Sequence, residues 1–113
     1  MSGRAWAVYR VTIEVAPAVE EAWAAWHART HMPEVVRQPG FLGATRWKDR
    51  ERAPDGWPRY VVHYRAESLE AIESYRSSAA ATRIREEHDA RYGNVTRIER
   101  TLLGEPVFVG PER

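Results

Sequence analysis

The chain has 113 residues, 43% hydrophobic and 29% charged, which fits one globular domain and excludes a disordered chain. Its 17 basic and 16 acidic residues leave a net charge of +1, too balanced for a dedicated binder of nucleic acid or an anionic membrane surface. It contains no Cys, so disulfides, thiolate metal sites, iron–sulfur clusters and cysteine nucleophiles are excluded.

Met1 to Val15 alternates and carries Arg4, Arg10 and Glu14, unlike the apolar core of a signal peptide. No run approaches the ~20 apolar residues needed to span a bilayer. The expected location is the cytoplasm, with no membrane partner. Lys48 is the only Lys. The many Arg residues are spread along the chain rather than gathered in a block.

Ala5 to Val15 reads as a strand, with Tyr9, Val11, Ile13 and Val15 on an apolar face. Trp6, Val8, Arg10, Thr12 and Glu14 fall on the mixed face. Pro17 suits a first helical turn, and Glu20 and Glu21 suit the positive end of the helix dipole. Val19, Ala22, Trp23, Trp26 and Thr30 then form a helical stripe. Pro33 is expected to end or kink the helix near His31–Met32, with a short turn from Glu34 to Arg37 after it. Pro39–Gly40 is a stop.

Phe41 to Lys48 reads as a second strand and Arg59 to Ala66 as a third. Pro54-Asp55-Gly56 turns the chain between them. Tyr60, Val62, Tyr64 and Ala66 share one face of the third strand; Arg59, Val61, His63 and Arg65 share the other. Ser68 is an N-cap for a second helix whose stripe begins Leu69, Ile72, Tyr75. Ser77–Ser78 should loosen this helix, which resumes from Ala79 to Tyr92 with Ala80, Ile84 and His88 in register. Gly93 is placed to terminate it. Asn94 to Leu103 is the fourth strand, and a tail, 104–113, carries Val107-Phe108-Val109.

The order β-α-β-β-α-β predicts an α+β, ferredoxin-like sandwich: a four-stranded antiparallel sheet with both helices on one face. The expected unit is a single domain over 1–113, with its core in 5–103. The open sheet face would carry Trp6, Val8 and Val61 beside Arg10, Thr12, His63 and Arg65, an interaction surface for a second copy. The predicted partner is thus a homodimer through that face, with the tail packing on the other subunit.

An aromatic helix leading to His31-Met32-Pro33, then Pro39-Gly40-Phe41 opening a strand, resembles the dimeric α/β-barrel superfamily. Within it, the sequence is most similar to a bacterial domain family without an assigned activity. That likeness runs through Thr12-Ile13-Glu14-Val15, Trp23, Trp26, Tyr60-Val61-Val62-His63-Tyr64 and Glu67-Ser68-Leu69-Glu70-Ala71. It covers roughly residues 7 to 103. A weaker likeness reaches EthD-like and antibiotic-biosynthesis-monooxygenase-like proteins. In those, a His corresponding to His31 opens on a pocket between helices and sheet. The superfamily includes polyketide cyclases, lactone isomerases, cofactor-independent quinone-forming oxygenases and haem proteins. The resemblance implies the fold rather than one reaction.

His31, at the broken helix end, is the candidate catalytic acid/base, because imidazole titrates near neutrality. A structural cap at the helix C-terminus is its alternative role. Tyr9, Trp23, Trp26, His27, Trp47, Tyr60 and Tyr64 are the candidate ligand-binding residues, forming an aromatic pocket or else an ordinary core. Trp47 and Trp57 flank the hairpin loop as a rim for the pocket or a cover for the sheet end. His27 and His31 have metal-binding i, i+4 spacing, but no further ligand pattern completes a site, and no metal or other cofactor is expected. His63, Arg65 and Arg10 form either a polar site at the dimer interface or charge pairs with Glu14 or Glu99.

Two readings of function stand open. One is a cofactor-independent enzyme of cyclase, isomerase or monooxygenase type, acting on an aromatic or polyketide-like metabolite. The other is a non-catalytic ligand-binding or structural dimer. An RNA-binding reading shares the strand–helix order, but the third strand lacks the Gly of the RNA-recognition motif and turns its Tyr residues toward the helices.

Overall fold

A computed structural model describes residues 6–111. Four strands form one antiparallel sheet in the order β2-β3-β1-β4. They are β1 (Ala7–Val15), β2 (Phe41–Lys48), β3 (Arg59–Ala66) and β4 (Thr96–Leu103). The helices α1 (Glu20–Trp26), α2 (Met32–Val36), α3 (Leu69–Arg76) and α4 (Ala79–Tyr92) follow the expected ferredoxin-like order.

The alternation of β1 and β3 decides which way the sheet faces. Tyr9, Val11, Ile13 and Val15 are buried, as are Tyr60, Val62, Tyr64 and Ala66. The register sets Tyr9 opposite Tyr64 and Val11 opposite Val62. These residues join Trp23, Val35, Ile72, Tyr75, Ala81 and Ile84 in one core. At about 25 cal/mol per Å² of apolar area, this layer between sheet and helices is the main source of stability.

The first helical region departs from expectation at Pro33. It runs past the proline, because His27–His31 forms a π-helical turn between α1 and α2. Met32 N–H bonds to the His27 carbonyl, five residues back. Within a regular α-helix the Pro33 ring would collide with the carbonyl four residues earlier. The widened turn relieves that collision and places Pro33 in the first turn of α2, where a missing N–H is tolerated. The inward stripe is also different: Ala22 is exposed, while Trp23 and His27 are fully buried.

Ser77 and Ser78 separate α3 from α4 completely. The Ser68 hydroxyl accepts from Ala71 N–H at 3.1 Å, and the Ser78 hydroxyl accepts from Ala81 N–H at 3.1 Å, so each helix has its own N-cap. Gly93 does not act as a left-handed terminator. Its φ is −58°, and it opens a 3-10 turn, Gly93–Val95, that shortens β4 to begin at Thr96. Gly40 is the glycine the fold requires: its φ is +92°, and a Cβ there would lie 2.6 Å from Ala71 Cβ.

A bulge between Phe41 and Gly43 resets the parity of β2. Phe41, Ala44, Arg46 and Lys48 therefore accompany the inward residues of β3, and Trp47 turns to the open face opposite Val61. That face is mixed. Trp47 packs edge-on against His63 at 4.9 Å between ring centroids. Glu14 is bracketed by Arg59 at 3.1 Å and Arg97 at 2.9 Å, and Arg97 also pairs with Asp55 at 2.8 Å. The Arg97 guanidinium stacks 4.0 Å from the Trp57 ring centroid, closing the hairpin loop over the sheet end. In the tail, Val107, Phe108 and Val109 are exposed, and Phe108 lies 5.3 Å from Trp6. No helix among the described residues is long and apolar enough to cross a membrane.

Candidate functional site

Polar groups converge on one place in the core. A small cavity of about 30 Å³, enough for a water-sized group, lies between the sheet and the π-helical turn. Tyr9 and Tyr64 come from the sheet, His27 and His31 from the turn, Tyr75 from α3 and His88 from α4. The His27 and His31 rings stack 5.1 Å apart at 19°, and His88 meets His31 edge-on at 5.3 Å.

Neighbouring donors fix two imidazole tautomers. Trp23 Nε1–H donates to His88 Nε2 at 3.1 Å, so neutral His88 carries its proton on Nδ1. Arg46 Nη1–H donates to His27 Nδ1 at 3.1 Å, so neutral His27 carries its proton on Nε2. Arg46 is itself held by the Ala24 carbonyl at 3.0 Å and by the faces of Trp23 and Tyr60. His27 Nε2, His31 Nδ1 and His88 Nδ1 are buried without a hydrogen-bond partner. Asp89 lies 3.8 Å from His88 Nδ1, beyond hydrogen-bond reach. Unmade bonds at buried polar atoms are unusual in a settled core and are expected where a ligand or an ordered water supplies the missing partner.

Burial keeps these rings neutral. It lowers His27 to about 2, with the charges of His31, Arg46 and His88 adding to the effect. It lowers His31 to about 4, assisted by His88 and Arg100. It also lowers His88, against a smaller opposing pull from Asp89. The phenols are held protonated: burial raises Tyr64, and raises Tyr75 to about 12, with Tyr9 nearby in both cases. At neutral pH the cavity therefore presents neutral imidazoles, able to accept or donate a hydrogen bond, beside the neutral phenols of Tyr64 and Tyr75.

Arg85 and Arg100 border this cavity and also an outer depression of about 310 Å³. Glu73, Arg76 and Ser77 complete the outer wall. Arg100 sits opposite Val11, on the helix side of the sheet.

Of the residues singled out from sequence, Tyr9, His27, His31 and Tyr64 border the cavity. Trp23 and Trp26 stand behind it: Trp23 supports His88, and Trp26 packs on His31, His88 and Tyr92. Tyr60 points elsewhere and donates to Glu20 at 2.7 Å, a carboxylate also bound by Lys48. Trp47 lies on the opposite face of the sheet and is half-exposed. Sequence reasoning missed His88, Tyr75, Arg85 and Arg100 as site residues. In the sequence, His88 and Tyr75 read only as positions in helical stripes. Arg100 follows from the alternation of Ile98 and Leu102, since all three share a face. No set of three His, Cys, Asp or Glu among the described residues is arranged to hold a metal ion.

The model of a domain of unknown function, DUF4286, matches residues 6–105. The chain belongs to the DUF4286 family. No curated protein matches this DUF4286 member. Among solved structures, the cofactor-independent oxygenase SnoaB from Streptomyces nogalater is 20% identical, with a TM-score of 0.65 over 96% of this chain and 99% of that one. An EthD family protein from Bacillus halodurans is 12% identical, with a TM-score of 0.64 over 84% and 96%. A candidate antibiotic biosynthesis monooxygenase from Deinococcus radiodurans is 10% identical, with a TM-score of 0.68 over 95% and 99%. At these identities the likeness establishes a shared fold. It bears out the EthD-like and monooxygenase-like resemblance read from the sequence.

Proposed function

We propose that this protein binds a small aromatic or polyketide-like metabolite between sheet and helices and moves a proton on it without a cofactor. The observation that carries this reading is the trio of buried, unpartnered imidazole nitrogens around one cavity. His31 Nδ1 is the proton acceptor. It takes a proton from a phenol or from carbon beside a carbonyl, and the electron pair stays on the substrate as phenolate or enolate. His27 Nε2–H and His88 Nδ1–H are preorganised donors for the developing oxyanion, the role that fixed N–H groups play in many enzymes. Tyr9, Tyr64 and Tyr75 orient the ring. Proton removal is a first step that cyclisation, isomerisation and oxygenation can share, and the oxygenase activity named for SnoaB supports this class.

The cavity admits only a fragment of such a ligand, while the outer depression reaches the lower size range of ligand pockets. The ligand therefore enters from the Arg85–Arg100 side and inserts one edge. The narrowness of the cavity favours the second reading, a non-catalytic binding or structural protein in which the histidines only pack.

The open sheet face, with Val8, Val61 and the half-exposed Trp47, supports a homodimer through that face. Light scattering at micromolar protein should return twice the chain mass.

Native mass spectrometry of freshly purified protein, with a screen of phenols and polyketide-like compounds, tests the main reading. A retained compound should be turned over, and His31→Ala should abolish turnover while the far-ultraviolet spectrum stays unchanged. Undiminished turnover removes His31 from the mechanism. Failure to retain any compound favours the packing role.

A further inference from the structure

Three guanidinium groups stand at the mouth of the cavity without a carboxylate to neutralise them. Arg76 comes from the end of α3, Arg85 from α4 and Arg100 from the edge strand β4. Elements distant in sequence thus deliver the same charge to one depression. Arg59, Arg83, Arg97 and Lys48 each pair with a carboxylate within 4.0 Å, whereas what sets the present three apart is that they gather on one depression. Among the described residues, Arg76, Arg85 and Arg100 form no such pair, and Glu73 on the same wall does not approach them to that distance. The Arg85 contacts are long ones, 3.5 Å to the Arg76 carbonyl and 3.4 Å to the Thr82 hydroxyl. They leave its fork free for a bidentate acceptor.

The second observation is that the two spaces share part of their walls. Arg85 and Arg100 belong both to the outer depression and to the cavity beneath. His88 on the cavity wall is 3% exposed, with Nδ1 unpartnered. A molecule anchored on the guanidinium groups therefore lies beside the cavity that holds the imidazoles.

We propose that the ligand of this site is an aromatic carboxylate, its carboxylate clasped by Arg85 and Arg100 with Arg76 adding charge, and its far end directed at the His31–His88 cavity. This rests on the reading of the cavity as a ligand site and adds the chemical class. Planar guanidinium groups bind carboxylates in two-point geometry, and a neutral ligand would leave their charge uncompensated. Arg100 is also among the charges that hold His31 and His88 neutral, so an anion placed on it favours proton uptake below.

The test uses 4-hydroxybenzoate and its uncharged counterpart 4-hydroxybenzamide, titrated into the full chain and followed by amide shifts in nitrogen–proton correlation spectra. The carboxylate should move signals of Ser77, Arg85 and Arg100 and bind at least tenfold more tightly than the amide. Arg85→Gln and Arg100→Gln should each weaken the carboxylate about tenfold or more, the scale of a charge-assisted hydrogen bond. They should leave the amide unaffected. Arg50→Gln, on the hairpin loop, should change neither. These arginines lie toward the surface, so melting temperatures should hold. Equal binding of the two compounds at the cavity would overturn the anion class while leaving the cavity reading intact. Absence of any carboxylate-induced shift up to 10-millimolar scale, roughly the weak limit for a specific site, would overturn it as well. The retention and turnover test with His31→Ala decides the cavity reading separately.

Discussion

Acid should weaken this fold well before its carboxylates titrate. His27 and His31 have folded values of about 2 and about 4, against 6.5 for the free side chain. The native state therefore binds fewer protons than the unfolded chain below pH 6.5. The stability this represents is complete above the unfolded value and is lost as pH falls toward the folded one. From pH 7.5 to 5.5 each ring loses about 1 kcal/mol, and by pH 4.5 the pair has lost about 5 kcal/mol. His88 is lowered too and acts in the same direction. Glu34, raised by burial and by Glu87, works in the opposite sense near its own range, so the clean window lies above pH 5.5. Since a domain of this size holds about 5–15 kcal/mol in all, the effect is large. Urea midpoints at pH 7.5, 6.5 and 5.5, with constant slope, measure it. His31→Gln should flatten the profile by about one proton. A wild-type stability that changes by less than about 0.5 kcal/mol across this window would refute the buried neutral trio.

Trp23→Phe keeps much of the ring but removes the donor to His88 Nε2; it should cost about 2–4 kcal/mol by urea unfolding and shift the His88 ring-nitrogen signals away from the Nδ1–H form. Arg46→Met strips the Ala24 carbonyl and His27 Nδ1 of their donor, for an expected loss of about 1–3 kcal/mol and a mixed His27 tautomer by the same spectra. Ser68→Ala and Ser78→Ala should each cost about 1 kcal/mol, read by thermal unfolding, because each hydroxyl caps a separate helix. Arg100→Gln should raise the His31 titration midpoint, since one of the charges opposing its protonation is gone.

The sheet was legible because β1 and β3 alternate without interruption, so period and burial agree at every position from Tyr9 to Val15 and from Tyr60 to Ala66. Tyr9, Tyr64, His27 and His31 could be placed near one another on that basis. Trp47 could not, because the bulge at Phe41–Gly43 inverts the parity of β2, and an extra residue in a strand leaves little trace in composition. Pro33 misled for a related reason: its usual effect is to end a helix, and the widened turn that accommodates it is set by packing around His27. His88 and Arg100 were hidden by their neighbours. One lies in an apolar stripe and the other on an edge strand rich in charge, so each reads as ordinary until distant elements come together.

The five-residue turn at His27–His31 contains one residue more than regular helical winding would use. Deleting Thr30 would let the coil tighten to its usual pitch, and the Pro33 ring would again meet the carbonyl four residues earlier. The buried Val35 and the stacked rings of His27 and His31 would have to shift to relieve that collision. A loss of one amino acid here would therefore disturb the core, whereas the polar loop between β2 and β3 should tolerate a change in length.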